Sequence, residues 1–131
     1  MLRLFLGLVV ALSPVAASAQ DWRHARTVEL RLTGRDISPA SINLRAGEPV
    51  RLRIYNGAAH DHRLAADGLL AASRLRSRDA EHLAQGTLTV PAGEAREVVL
   101  VPAEGRYRIR STNWLYRLLG MSSEITVGQE E

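Results

Sequence analysis

Apolar and charged residues alternate with a period of two through most of the chain beyond residue 25. Val28, Leu30 and Leu32 alternate with Glu29 and Arg31, and Val50, Leu52 and Ile54 with Arg51 and Arg53. Side chains two apart project from one face of an extended strand, so each segment offers one apolar and one charged face. Ile42 and Leu44, Leu88 and Val90, Val98 to Val101, Tyr107 and Ile109, and Ile125 and Val127 continue the pattern. Turn signals separate them at Ala46-Gly47-Glu48-Pro49, Pro91-Ala92-Gly93 and Pro102-Ala103-Glu104-Gly105. About seven short strands result, and covering one face of each requires two sheets packed against each other. The expectation is an all-β, Greek-key β-sandwich. Leu69 to Gln85, rich in Ala, Leu and Arg without alternation, reads as a partly helical connection in which Ser77 or Asp79 could act as a helix cap.

The first residues follow a different rule. Arg3 precedes an apolar run from Leu4 to Leu12, and Ala17-Ser18-Ala19 supplies small residues for cleavage before Gln20. That is the three-part secretory pattern, and a run of this length, broken by Ser13-Pro14, is about half of what spans a bilayer. Residues 1–19 are therefore expected to be a signal peptide and 20–131 a single periplasmic domain with no membrane span. The chain has no cysteine, so apolar burial or a bound ligand, not disulfides, must hold that domain. All 17 basic residues are arginine, against 14 acidic ones. Most arginines alternate with apolar residues as on a solvated sheet face, which argues against a nucleic-acid site; Arg74, Arg76 and Arg78 read as wet surface.

The stretch from Ile37 to Asn56, with Ser38-Pro39, Ala46-Gly47-Glu48-Pro49-Val50 and a strand ending in Asn56 before His60, resembles the first half of small bacterial cupredoxin domains of the plastocyanin and azurin type. Gly105 to Ile109 is similar to the strand entering the cupredoxin metal loop, and Gly120-Met121 followed by Glu124 to Val127 to its exit. In that family a type 1 copper is held by a histidine, a cysteine, a second histidine and a methionine. The resemblance puts the first histidine on His60 and the methionine on Met121, the cysteine position on Ser111 and the second histidine position on Tyr116. A blue-copper centre depends on a soft thiolate, which a serine hydroxyl does not replace. The implication is a domain without the usual electron-transfer site, acting as a binding or accessory module in periplasmic metal or redox traffic.

Three residues keep metal chemistry open. His60 and His62 are two apart and share a strand face, and with Met121 they form a set suited to copper, whereas a metal-free domain is the equal alternative. Asp61 reads as surface charge rather than as an acceptor orienting an imidazole. His24 and His82 read as solvated. Trp114, Leu115, Tyr116, Leu118 and Leu119, with Arg117 among them, make an unusually apolar loop, either exposed as a docking patch for a periplasmic protein partner or folded inward to fill the end of the sandwich. An enzyme is not expected, since no nucleophile-elbow motif surrounds Ser111.

Overall fold

A computed structural model describes residues 22–83 and 85–129; the expected signal peptide lies outside the described residues. After a 3-10 turn at Trp22–His24, ten strands and three short helices follow. The strands β1 (Arg26–Leu32), β2 (Ile37–Ser38), β4 (Val50–Asn56), β6 (Arg74–Leu75) and β8 (Ala95–Val101) form one sheet in the order β2-β1-β4-β8-β6. The other contains β3 (Ser41–Arg45), β5 (His62–Ala65), β7 (Thr87–Val90), β9 (Gly105–Ser111) and β10 (Ser122–Gly128), in the order β3-β10-β9-β5-β7. Helices α1 (Asp67–Ala72) and α2 (Ser77–His82) lie in the connection between β5 and β7, and α3 (Trp114–Leu118) between β9 and β10.

The alternation read from the sequence sets which residues face inward. In β4, Val50, Leu52, Ile54 and Asn56 are buried while Arg51, Arg53 and Tyr55 are half-exposed, and in β10 Ser123, Ile125 and Val127 point in. Buried side chains from both sheets join one cluster, from Leu30 and Leu52 on one side to Leu64, Ile109 and Ile125 on the other. Each such side chain contributes roughly 1.5–3 kcal/mol by leaving water. Val98 to Val101 is a continuous apolar run because β8 is covered on both sides: Val98 and Leu100 join the main cluster, and Val99 and Val101 are buried outside it.

The connection is partly helical, as expected, but its caps are different residues. Ala66 and Arg76 precede α1 and α2, and neither makes a side-chain cap bond. Ser77 is the first residue of α2, and Asp79 lies inside the helix because its carboxylate has stronger partners: it accepts from the Arg76 guanidinium at 2.9 and 3.1 Å and from the Val99 amide at 3.1 Å. Arg76 thus leaves the wet cluster, while Arg74 and Arg78 stay exposed. The number of strands also exceeds the seven expected, since β2 and β6 are two-residue pairings along the edges of one sheet.

Asn56 links the two sheets at the end where β4 stops. Its fully buried amide donates to the carbonyls of His60 and Val90, both at 2.9 Å, and its oxygen accepts from the Ala58 amide at 2.9 Å. Asn56→Asp keeps the shape and removes both donors, leaving two carbonyls facing a carboxylate. It is expected to lower stability by about 2 kcal/mol or more, measured as a shift of the urea midpoint at constant slope.

Candidate functional site

The segment beyond Asn56 turns through residues 57–61 and enters β5 at His62. That strand lies beside β9, with Leu64 opposite Ser111 and Ala65 opposite Arg110. The closing loop leaves β9 at Ser111, passes through α3 and returns at Met121. Asn113 starts α3, its side chain accepting from the Leu115 amide at 2.9 Å. Backbone bonds then fold the loop on itself: the Met121 amide donates to Tyr116 O at 2.9 Å, and the Ser111 amide to Met121 O at 3.2 Å. The five positions singled out from the sequence, 60, 62, 111, 116 and 121, are gathered at one end of the sandwich.

The two histidines have different surroundings. His62 is buried, with 2% of its surface exposed, whereas His60 is exposed. The His62 Nε2 lies 2.9 Å from the Thr33 carbonyl oxygen, which only accepts, so Nε2 carries the proton and the neutral ring keeps a lone pair on Nδ1. His60 stands at 4.6 Å between ring centroids, edge-on to His62. Tyr116 completes a triangle of rings, stacked on His60 at 5.8 Å and edge-on to His62 at 5.5 Å, with its hydroxyl 3.2 Å from His60 Nε2.

Ser111 and Met121 are both buried, at 2% and 0% exposure. The Ser111 hydroxyl oxygen accepts from the Asn113 amide at 3.1 Å. The exposed Asp61 carboxylate accepts from the Ala92 amide at 2.9 Å. His24 lies in the N-terminal turn and His82 at the end of α2, both exposed and outside this cluster. Of the loop residues, Tyr116 is half-buried, while Trp114, Leu115, Leu118 and Leu119 are 68%, 45%, 75% and 51% exposed. Among the described residues no three His, Cys, Asp or Glu side chains are grouped as a metal site, and no helix is long and apolar enough to cross a membrane. Sequence reasoning missed Thr33 and the clamp at Asn56. Thr33 acts through a backbone carbonyl, which no side-chain pattern reveals.

No family model matches the chain, and no curated protein matches it. Solved structures do. A sodium-dithionite-reduced auracyanin from the photosynthetic bacterium Roseiflexus castenholzii is similar over 79% of this chain and 98% of its own, with a TM-score of 0.58 at 17% identity. Auracyanin B covers the same share of this chain and 89% of its own, with a TM-score of 0.55 at 26% identity. The fold is cupredoxin-like. Within a cupredoxin-like sandwich, β9, α3 and Met121 form the segment that the sequence resemblance associates with the metal loop, and the ring triangle stands beside it.

Burial holds the His62 imidazole below its ordinary pKa; the Thr33 hydrogen bond opposes that shift and neighbouring His60 adds to it. The unfolded chain takes up this proton near pH 6.5 and the folded chain only at lower pH, so the unfolded state binds more protons in that interval. His62 therefore imposes no penalty above about pH 6.5 and reduces stability as pH falls below it. Melting temperatures between pH 7.5 and 5 should decline, and His62→Phe, compared with the parent at each pH, should show a shallower decline. An NMR titration of the His62 ring should give a midpoint below about 6.5.

Proposed function

We propose that this is an exported cupredoxin-like accessory module for periplasmic metal or redox traffic, without a thiolate-based copper centre. The observation that carries this reading is the chemistry of position 111. The chain has no cysteine, and the residue buried between β5 and the Met121 return is a serine whose oxygen accepts a backbone amide. A neutral hydroxyl is a hard donor and lacks the covalent overlap through which a type 1 centre exchanges electrons. Tyr116, at the position the resemblance gives to the second histidine, presents a phenol engaged with His60 in place of an imidazole. These residues do not fit the type 1 group.

A second reading has its own support. His62 has its Nε2 tied to Thr33 and Nδ1 left with a lone pair, the arrangement that orients an imidazole for a metal. With His60 4.6 Å away between ring centroids and Met121 on the adjoining loop, a copper carrier using His60, His62 and Met121 is the alternative. In that case His60 serves the ion through Nδ1, or through Nε2 once Tyr116 releases it.

Copper titration of the purified protein separates these readings. The accessory module is expected to give no intense visible thiolate-to-copper band and a dissociation constant weaker than about 0.1 mM. Tighter binding that His62→Ala and Met121→Ala each weaken at least tenfold supports the carrier. Installing Ser111→Cys together with Tyr116→His should create the visible band in the same scaffold, and an intense band in the unmodified protein overturns the proposal.

A further inference from the structure

The outer faces of the two sheets carry similar numbers of arginines but differ in how their charge is balanced. On the β1-β4-β8 face, Arg53 lies 3.8 Å from Glu29 and 3.9 Å from Glu97, Arg51 lies 3.8 Å from Glu97, and Arg31 sits over the Tyr55 ring at 5.2 Å. On the other sheet, Ile109 and Ser111 point inward, so Arg106, Arg108 and Arg110 of β9 line the exposed face. Among the described residues none of these three has an ion-pair partner within 4 Å. Glu124, in register with Arg108, is the only acidic residue at an outward position of these five strands.

The positive row leads to the apolar tip. Arg110 is followed by Ser111, Thr112 and α3, and the Thr112 amide donates to Arg63 O at 2.9 Å, which puts Arg63 beside the same turn. Arg117 is exposed within α3 itself. Two residues of strand span about 6.7 Å, so Arg110 lies within about one Debye length of the turn at Thr112 at physiological salt, and Arg108 follows two residues behind it in the same row. Ahead of them project Trp114, Leu115, Leu118 and Leu119.

We propose that this end of the domain docks peripherally on an anionic lipid surface, with α3 entering the headgroup boundary and Arg63, Arg108, Arg110 and Arg117 facing the lipid phosphates. Charge complementarity selects an anionic partner, and the tip's composition selects lipid over an acidic protein. Three of its four exposed apolar side chains are leucine, a residue under-represented among protein hot spots, whereas tryptophan and leucine beside arginine are what interfacial helices insert. The inference requires no metal and is independent of the chemistry at Ser111.

The test is co-sedimentation of the whole chain with phosphatidylglycerol or phosphatidylcholine vesicles, using one chain length in every arm so that residues 1–21 contribute equally. The expected result is partition into phosphatidylglycerol at least tenfold stronger than into phosphatidylcholine, weakening with added salt. Arg110→Gln with Arg117→Gln should reduce binding to the anionic vesicles about tenfold or more. Trp114→Ser with Leu118→Ser should reduce it by at least a similar factor. All four positions are exposed, and unchanged thermal midpoints establish that the variants fold. In Trp22→Phe, which leaves Trp114 as the single indole, emission should shift to the blue on adding phosphatidylglycerol. Equal partition into both lipids, or full binding by the Trp114→Ser, Leu118→Ser variant, overturns the proposal. So does binding to polyglutamate that depends on Arg108 and Arg110 without binding to vesicles, which identifies an acidic protein as the partner class.

Discussion

One buried amide determines how the functional end of this domain is built. Asn56 stands at the last position of β4, on the face that would otherwise hold another aliphatic residue, and reaches across to Val90 at the end of β7 in the opposite sheet. Its other bonds fix the turn that follows, through the carbonyl of His60 and the amide of Ala58. A polar group without water is stable only when its hydrogen-bonding capacity is used, and here both amide protons and the oxygen are engaged. The backbone reinforces the clamp, since the Asn56 amide donates to Glu94 O and its carbonyl accepts from Gly93, each at 2.9 Å. The positions of His60 and His62 follow from this clamp: the turn can leave β4 in only one way, and His62 enters β5 facing inward.

The same end combines rigidity with an open upper surface. His62, Ser111 and Met121 form a closed floor tied together by strand pairing and backbone bonds. Above it, His60 and Tyr116 meet through one 3.2 Å contact in exposed surroundings. Such a contact is worth little in water compared with a buried one, because solvent competes for both partners. The floor is therefore held by the fold, and the cover by a single weak bond and ring stacking.

Much of this was legible in the sequence, because two-residue alternation fixes sheet faces independently of which strands pair. Val50 to Ile54 and Glu124 to Val127 are buried and exposed in the order their polarity dictates, whereas Asn56 and Ser123 take inward positions of the same strands although they are polar. The extra strands were not legible: β2 and β6 are two residues long and exist only as pairings with β1 and β8. The caps differ for a related reason, since Asp79 binds the Val99 amide, twenty residues away and brought to it only by tertiary folding, as well as the guanidinium of Arg76 three residues before it. At the site, the residue types and their meeting place were readable, but the division of labour between His60 and His62 was not. That division depends on a five-residue turn and on the carbonyl of Thr33, neither of which has a side-chain signature. The apolar loop split in a way that no periodicity in five helical residues could have settled, with Tyr116 turned toward the histidines and its neighbours turned out.

The unequal neutralisation of the two sheet faces gives the molecule a direction. Ion pairs cancel charge where they form, so the face carrying Glu29 and Glu97 contributes little to the distant field, while the β9 face retains its positive charge. Within about one Debye length of a charged boundary the two faces are therefore pulled unequally, which exerts a torque on the domain. The domain consequently turns the arginine row and its tip toward a negative boundary before the two touch, and successful collisions become more frequent in proportion to that alignment.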